Sequence, residues 1–234
     1  MSDAPSVQQF GPDRAAGYDD RIRRLCPGYD VLQDTVASVL AARLPERAHL
    51  LVAGAGTGAE IVRMGQAHSG WRFTAVDPSP AMLDRCRSNV SDAGLENRVE
   101  YLDAAVEEMP GARSFDAATS LLVTHFIDGR AATQRYVRGL AERLPPGAPL
   151  VWADLHRPAS DEAFRTLWAA WRTQMRARLD ADTVEDAFEE IEEGISFVRP
   201  AALTHIVTDA GFTPPTPIYR QLLWGGWIAS RRAD

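Results

Sequence analysis

Short apolar runs alternate with helical stretches through most of the chain. Apolar runs of four to eight residues predict strands, and apolar positions three and four residues apart predict helices. The predicted strands are residues 49–53, 72–76, 98–102, 115–122, 149–153, 217–223 and 224–230. The predicted helices include residues 31–44, 59–68, 80–93, 130–143 and 201–210. This β-α-β-α order predicts a parallel sheet with helices on both faces.

Two stretches interrupt the alternation. Residues 1–45 are polar and then amphipathic, and residues 161–193 predict two or more helices with no strand between them. We therefore expect a single domain built from four parts. These are an N-terminal helical lid (1–45), a core (46–155), a helical cap inserted after strand 5 (156–198), and a C-terminal helix with a β-hairpin (199–234).

The first predicted strand leads into Gly54-Ala55-Gly56-Thr57-Gly58 and then into a helix. Glycines let the backbone turn sharply and let a ligand approach without a Cβ in the way. The helix N-terminus adds free N–H groups. A dinucleotide site has the spacing G-x-G-x-x-G, whereas this turn has G-x-G-x-G. The pattern predicts a nucleotide-like ligand and disfavours a dinucleotide.

Two acidic residues follow the next two predicted strands. Asp77 ends the second strand, where a carboxylate can accept hydrogen bonds from both ribose hydroxyls. Asp103 ends the third, where a carboxylate can reach the exocyclic amine of an adenine. Either acid alone also fits a helix cap or a solvated loop. Together with the glycine turn, at the ends of three successive strands, they predict an adenosine site.

The motifs LLVAGAGTGAEI, AVDPSPAMLDRC, EYLDAAVEEMP and FDAATSLLVTHFI occur in this order, and AGFTPPTPIYRQLLWGGWIASRR ends the chain. From Tyr18 to Arg231 the chain resembles class I S-adenosylmethionine (SAM)-dependent methyltransferases. The resemblance implies an α/β, Rossmann-like, seven-stranded sheet, mostly parallel with an antiparallel C-terminal hairpin strand. It implies SAM as cofactor and S-adenosylhomocysteine (SAH) as product. The implied cofactor-binding residues are Gly54, Ala55, Gly56, Thr57, Gly58, Asp77, Pro78, Met82, Asp103, Ala104 and Leu121.

The segment YDDRIRRLCPGYDVL resembles a subgroup that contains carboxymethyl-transferring enzymes of the tRNA wobble uridine and related small-molecule methyltransferases. In that subgroup such a segment folds over the cofactor, which implies that Tyr18, Arg23 and Tyr29 lie near SAM. The tRNA enzymes bind an extra carboxylate with an arginine where this chain has Phe188. They carry an asparagine where this chain has Leu121. Both departures favour ordinary SAM over its carboxylated form.

Candidate residues for the acceptor side follow strands 4 and 5. His125 follows strand 4, and Asp154 and His156 follow strand 5. A histidine can take a proton from a hydroxyl or amine as it attacks the methyl group. His125 can equally pack against SAM, and His156 can be a surface loop residue. In the cap, Trp168 and Trp171 belong to an apolar stripe that either packs the core or walls a substrate pocket.

Charge and composition restrict the partners. The net charge is −7, which argues against nucleic acid, and all 25 basic residues are arginine, which excludes a catalytic lysine. Residues 180–193 contain eight acidic residues and no basic one. This stretch is either a solvated helix face or, if it lines the entrance to the site, a surface that would repel RNA. The absence of a signal peptide or apolar span and the two unpaired-looking cysteines predict a cytoplasmic protein with no membrane partner and no metal. A homodimer remains open.

Four hypotheses follow from these observations. The leading one is a SAM-dependent methyltransferase acting on a small molecule by positioning, with optional help from a general base. A tRNA-modifying (carboxy)methyltransferase is the alternative within the same class. An NAD(P)-dependent oxidoreductase and a non-catalytic methyltransferase-like protein are alternatives of other classes.

Overall fold

The computed structural model describes residues 10–111, 113–195, 197 and 199–233. Within them, seven strands form one sheet: β1 (Ala48–Ala53), β2 (Trp71–Asp77), β3 (Val99–Asp103), β4 (Ala117–Leu121), β5 (Pro149–Leu155), β6 (Thr216–Gln221) and β7 (Trp224–Ser230). The order is β3-β2-β1-β4-β5-β7-β6. Strands β1 to β5 are parallel, and β7 lies antiparallel between β5 and β6. The predicted Rossmann-like sheet with its C-terminal hairpin is confirmed.

The α-helices of the described residues flank this sheet. They are α1 (Pro12–Ala16), α2 (Tyr18–Leu25), α3 (Tyr29–Ala41), α4 (Ala59–Ala67), α5 (Pro80–Asp92), α6 (Arg130–Ala141), α7 (Asp161–Arg176), α8 (Ala181–Gly194) and α9 (Pro200–Asp209). Short 3₁₀ turns occupy Glu96–Arg98, Val106–Glu108 and Thr124–Phe126. No helix in the described ranges combines the length and the apolar character that crossing a bilayer requires.

The sheet separates two hydrophobic layers. Leu50 and Val52 of β1 pack in the layer of α3, α4, α5 and the cap helices, whereas Leu51 and Ala53 pack in the layer of α6 and α9. Successive strand residues point to opposite faces, so a strand that is covered on both sides must be apolar at every position. This is why the central strands are continuous apolar runs in the sequence.

The strand predicted at residues 115–122 is shorter than expected at both ends. The amide of Phe115 donates to the carbonyl of Arg143 at 2.9 Å, outside the sheet. At the other end, Leu122 has a left-handed backbone with a φ of 61°. A non-glycine residue rarely adopts this conformation, which costs about 1–3 kcal/mol and often marks a functional site. This turn ends β4 at its carboxyl end.

The position of β1 determines where a ligand can bind. β1 lies between β2 and β4, so the chain reverses its direction of strand addition there. In open α/β sheets the ligand crevice lies at the carboxyl ends of the strands at this switch point. The glycine turn, Asp77 and the turn after β4 all lie at the carboxyl ends of these strands.

Candidate active site

Three glycines of the turn after β1 take left-handed conformations. The φ angles are 68° at Gly54, 53° at Gly56 and 79° at Gly58. A Cβ on Gly54 would lie 2.3 Å from Val123 Cγ2, and one on Gly58 would lie 2.5 Å from Cys86 Sγ. A Cβ on Gly56 would make only ordinary van der Waals contact, with Met82 Cε nearest at 3.9 Å. Two of the glycines therefore permit close packing, and Gly56 leaves room for a ligand.

The Asp77 carboxylate ties the glycine turn to the loop after β2. Its Oδ2 accepts a hydrogen bond from the Gly56 amide at 2.8 Å, and its Oδ1 accepts one from the Ser79 amide at 2.9 Å. Burial raises the pKa of the Asp77 carboxyl, while these two hydrogen bonds lower it and the nearby Asp103 adds to the rise. Each oxygen keeps a second lone pair, so the carboxylate can also accept hydrogen bonds from ribose hydroxyls.

A cavity of about 190 Å³ opens at the carboxyl ends of β1, β2 and β4, and we call it the cofactor cavity. Eight predicted cofactor residues line it: Tyr18, Gly54, Gly56, Asp77, Pro78, Met82, Ala104 and Leu121. Met82 and Leu121 offer apolar surface to a flat base, Asp77 offers acceptors to hydroxyls, and Gly56 leaves the backbone open. This set of groups fits the adenosine part of SAM.

Six other predicted cofactor residues do not line the cavity: Arg23, Tyr29, Ala55, Thr57, Gly58 and Asp103. Arg23 is exposed and pairs with Asp30 at 3.3 Å. Tyr29 is buried in the hydrophobic layer that contains α3. Asp103 is exposed at the end of β3. Direct contact of these residues with the cofactor stays a prediction.

Residues 10–25, which we call the lid segment, cover the cofactor cavity. Asp19 accepts hydrogen bonds from Thr57 Oγ1 at 2.5 Å and from Asn89 Nδ2 at 3.1 Å. Ser79 Oγ donates to the carbonyl of Phe10 at 2.8 Å. The lid segment is therefore held on the glycine turn and on both ends of α5 by polar contacts, and Ile22 also packs it into the apolar core.

His125 and Asp154 form a buried pair at the ends of β4 and β5. His125 Nδ1 is hydrogen-bonded to Asp154 Oδ1, and each side chain is 4% exposed. Asp154 Oδ2 also accepts from the backbone amides of Thr124 at 2.7 Å and His125 at 3.2 Å. Its Oδ1 accepts from the Leu155 amide at 2.8 Å. Because Asp154 occupies Nδ1, Nε2 is the nitrogen of His125 that can meet a ligand.

A second cavity, which we call the inner cavity, adjoins the cofactor cavity, and His125 lines it. The two cavities share Phe10, Tyr18, Leu122 and Phe126. Trp171 of the cap also lines the inner cavity, and its Nε1 donates to the Leu25 carbonyl at 2.7 Å. The predicted Trp171 and His125 are thus brought together beside the cofactor cavity.

Charged groups from the lid segment and the cap meet at the inner cavity. Arg14 and Arg21 line it together with Glu190 of α8. Arg21 forms an ion pair with Glu190, and Arg14 Nη2 lies 3.7 Å from the same carboxylate. Trp224 lines the cavity from β7, and its buried Nε1 has no hydrogen-bond partner among the described residues.

Other residues predicted for the acceptor side lie outside the inner cavity. His156 is buried with its ring edge-on to Trp227, and neither ring nitrogen has a partner in the described part of the chain. Burial and the positive charge of Arg220 lower the pKa of His156 to about 4. Trp168 packs in the cap against Phe188, which is 1% exposed. His156 therefore has no access to an acceptor in the inner cavity.

Several lining residues were not predicted from the sequence. Arg14 and Arg21 are two of 25 arginines, and no local pattern distinguishes them from solvated ones. Trp224 was predicted only as the start of a strand. The sequence predicts Leu122 only as the end of a strand. Its place at the carboxyl end of β4, the strand beside β1, is the signal that could have identified it as a wall of the site.

Comparisons with known proteins point to one type of domain. Residues 50–148 match a family model described as a methyltransferase domain. The carboxy-S-adenosyl-L-methionine synthase of Dichelobacter nodosus (strain VCS1703A) is 25% identical over 226 residues, which cover 94% of this chain and 91% of that protein. The ubiquinone biosynthesis O-methyltransferase of Methylocella silvestris is 28% identical over 124 residues, which cover 52% of this chain and 46% of that protein.

Solved structures share the architecture. A structure described as a DhpI–SAH complex superposes with a TM-score of 0.64 at 16% identity, and the match covers 100% of both chains. Other similar structures belong to longer proteins, and this chain spans 57% and 58% of two of them. At such identities the superpositions establish the fold.

Proposed function

Since the chain carries a class I SAM-dependent methyltransferase domain, we propose that it transfers the methyl group of SAM to a hydroxyl of a small-molecule acceptor. The observation that carries the proposal is the His125–Asp154 pair on the wall of a cavity that adjoins the cofactor cavity. The name of the Methylocella silvestris relative, an O-methyltransferase, supports a hydroxyl acceptor.

The residues of the cofactor cavity have a binding role in this proposal. Asp77 holds the ribose hydroxyls, Gly56 lets the backbone approach the ligand, and the apolar wall around Met82 takes the adenine. Bound SAM supplies a methyl group on a positively charged sulfur, which is already activated for transfer. The lid segment excludes water from the junction of the two cavities.

His125 acts as the general base. Asp154 is hydrogen-bonded to Nδ1 of His125, which leaves Nε2 as the ring nitrogen that can meet an acceptor in the inner cavity. Nε2 takes the proton of the acceptor hydroxyl as that oxygen takes the methyl group. Proton removal by a positioned side chain typically contributes about 10²–10⁴-fold in rate. Asp154 is a positioning residue, because it touches His125 and backbone amides rather than the acceptor.

The walls of the inner cavity favour a small molecule over RNA. Trp171, Leu155 and Ile191 make its surface largely apolar, and Glu190 comes from the acidic helix α8. An RNA backbone needs a basic surface around the site. Methylation of a small acceptor therefore fits better than tRNA modification.

A second candidate is the formation of carboxylated SAM. It is favoured by the match to a carboxy-S-adenosyl-L-methionine synthase over 94% of this chain. Against it stand Leu121, an apolar side chain on the wall of the cofactor cavity, and Phe188, which is packed within the cap. Neither can bind an added carboxylate.

The experiment is an incubation of the purified protein with methyl-labelled SAM and a cell extract separated into RNA, protein and small-molecule fractions. We expect label in the small-molecule fraction and release of SAH. Synthesis of carboxylated SAM would instead leave the label on a SAM species that has gained the mass of a carboxyl group. Label in RNA would contradict the proposed acceptor class.

Two variants test the role of the pair. His125→Ala should reduce labelling by about 10²–10⁴-fold and leave SAH affinity within about twofold. His205→Ala, an exposed histidine on α9, is the matched control and should retain full activity. Asp154→Asn should slow transfer and alter its pH dependence without weakening SAH binding. A His125→Ala variant with full activity would exclude the general-base role.

A further inference from the structure

The charges on the inner cavity indicate the class of acceptor. We infer that the acceptor carries a carboxylate in addition to its reactive hydroxyl, on a flat apolar body, and that Arg14 and Arg21 bind this carboxylate. The inference rests on the proposed function, because it assigns the acceptor of that same site.

Among the described residues that line the inner cavity, two arginines face a single carboxylate. The two guanidinium groups of Arg14 and Arg21 share one carboxylate, that of Glu190, which is half exposed. Glu190 pairs directly with Arg21, and Arg14 stands off at 3.7 Å. Burial and then the neighbouring charge of Arg21 lower the pKa of Arg14. A second carboxylate would restore charge balance and supply hydrogen-bond acceptors for the guanidinium groups.

A lining residue of the same cavity, Trp224, holds a hydrogen-bond donor with no partner among the described residues. Trp224 is 4% exposed, and this donor is its Nε1–H. A buried donor without a partner costs about 1–3 kcal/mol. Trp224 lines the inner cavity together with His125 and both arginines. The Nε1 atom is itself buried, so an acceptor oxygen of a ligand can reach this N–H only after the surrounding walls move.

Arg14 and Arg21 both belong to the lid segment, which forms one wall of the inner cavity. The inner cavity measures about 60 Å³, whereas a protein cavity that binds benzene measures roughly 150 Å³. A ring-bearing acceptor therefore requires the walls to move, and the lid segment is the wall that carries Arg14 and Arg21. When the lid segment closes again, a carboxylate on the acceptor gives these arginines a new partner and favours the closed form.

Alternatively, the two arginines have a purely structural role and only hold the lid segment on Glu190 of the cap. Arg21 alone would suffice for that contact, since it pairs directly with the carboxylate. Arg14 would then remain half buried beside a like charge, sharing with Arg21 the one carboxylate that the described residues of the cavity offer. An anionic acceptor accounts for both arginines.

The test uses the full chain saturated with SAH and measures acceptor binding by calorimetry. The probes are 3-hydroxybenzoate, 4-hydroxybenzoate and 4-hydroxyphenylacetate, each paired with its carboxamide of nearly equal size. We expect the carboxylates to bind on the order of tenfold more tightly than their amides, as a charge-assisted hydrogen bond predicts. The preference should decrease with added salt, because both arginines are partly exposed.

Variants assign the preference to these residues. The double variant R14Q/R21Q also loses the ion pairs between the lid segment and Glu190, so it is kept saturated with SAH, and it should bind each carboxylate and its amide equally. Arg24→Gln is the matched control, because Arg24 is an exposed arginine of the same helix α2. Trp224→Phe removes the N–H donor and should weaken binding of both probe types to the folded, SAH-saturated protein.

The outcomes separate this inference from the proposed function. If SAH binds but no probe binds, or if carboxylate and amide bind equally to the natural sequence, the anionic acceptor is wrong and the methyltransferase proposal stands. A preference that survives in R14Q/R21Q would also overturn the inference. If SAH itself does not bind, the proposed function fails first.

Discussion

Glu60 is a buried carboxyl whose removal should stabilise the protein in a pH-dependent manner. Glu60 is the second residue of α4, directly after the glycine turn, and it is 5% exposed. Its Oε1 accepts a hydrogen bond from Thr119 Oγ1 at 3.1 Å. Burial raises the pKa of Glu60 to about 8, although the hydrogen bonds from Thr119 and from its own backbone amide oppose the rise.

The sign of the effect follows from the two protonation states. In the unfolded chain Glu60 ionises near pH 4.5, whereas in the folded chain it stays protonated up to about pH 8. Between these values the folded state binds more protons, so the free energy of unfolding falls as the pH rises. Above both values the penalty is constant. Over the range from pH 5 to pH 8 the loss is on the order of 3 kcal/mol, at about 1.36 kcal/mol for each pKa unit.

Glu60→Gln removes this term, because the amide stays neutral and its oxygen can still accept from Thr119. The assay is urea unfolding of both proteins at pH 5, 6, 7 and 8, with the exposed Glu46→Gln as control. We expect the stability advantage of Glu60→Gln to grow by about 3 kcal/mol from pH 5 to pH 8. An advantage that does not vary with pH would refute the reasoning.

Three further changes test the glycine turn, the lid segment and the ribose site. Gly58→Ala should destabilise the fold by about 2–4 kcal/mol in urea unfolding, because its Cβ would meet Cys86 Sγ at 2.5 Å on a left-handed backbone. Asp19→Ala should speed SAH dissociation in stopped-flow measurements, because it removes the hydrogen bonds from Thr57 and Asn89 that hold the lid segment closed. Asp77→Ala should weaken SAM binding by about 1–3 kcal/mol in calorimetry.

Each of these changes has a matched control. Gly94→Ala has the same left-handed strain but no atom within 4 Å, so it should cost only about 1 kcal/mol. Asp20→Ala removes the exposed neighbour on the same helix and should leave SAH dissociation unchanged. Asp84→Ala, an exposed acid on α5, should not affect SAM binding. If a control variant shows as large an effect as the variant it is paired with, the contact removed by that variant does not cause the effect.

The fold followed from the sequence to a large extent because the central strands are covered on both faces. Leu50, Leu51 and Val52 form a continuous apolar run that packs into both layers, and such a run is a strong local signal. The glycine turn and Asp77 were also predictable, because both lie within or just after a recognisable strand. The shortened β4 was not, since the left-handed turn at Leu122 carries no glycine to announce it.

The inner cavity could not be predicted, because its residues converge from distant parts of the chain. Arg14 comes from the lid segment, Glu190 from the cap and Trp224 from the last strand. Their proximity depends on tertiary packing that no local pattern encodes. Position after a strand also predicts only the edge of the sheet, and not which side chains share a cavity. For this reason His125 and His156 were equivalent candidates, and only the structure separates them.

The central claim is that the cavity beside the glycine turn holds SAM, and calorimetric titration of the purified chain tests it most directly. The titrants are SAM, SAH and NAD, added separately to the same preparation. We expect SAM and SAH each to bind one molecule per chain and NAD to give no heat. Binding of NAD together with no heat from SAM or SAH would contradict the account.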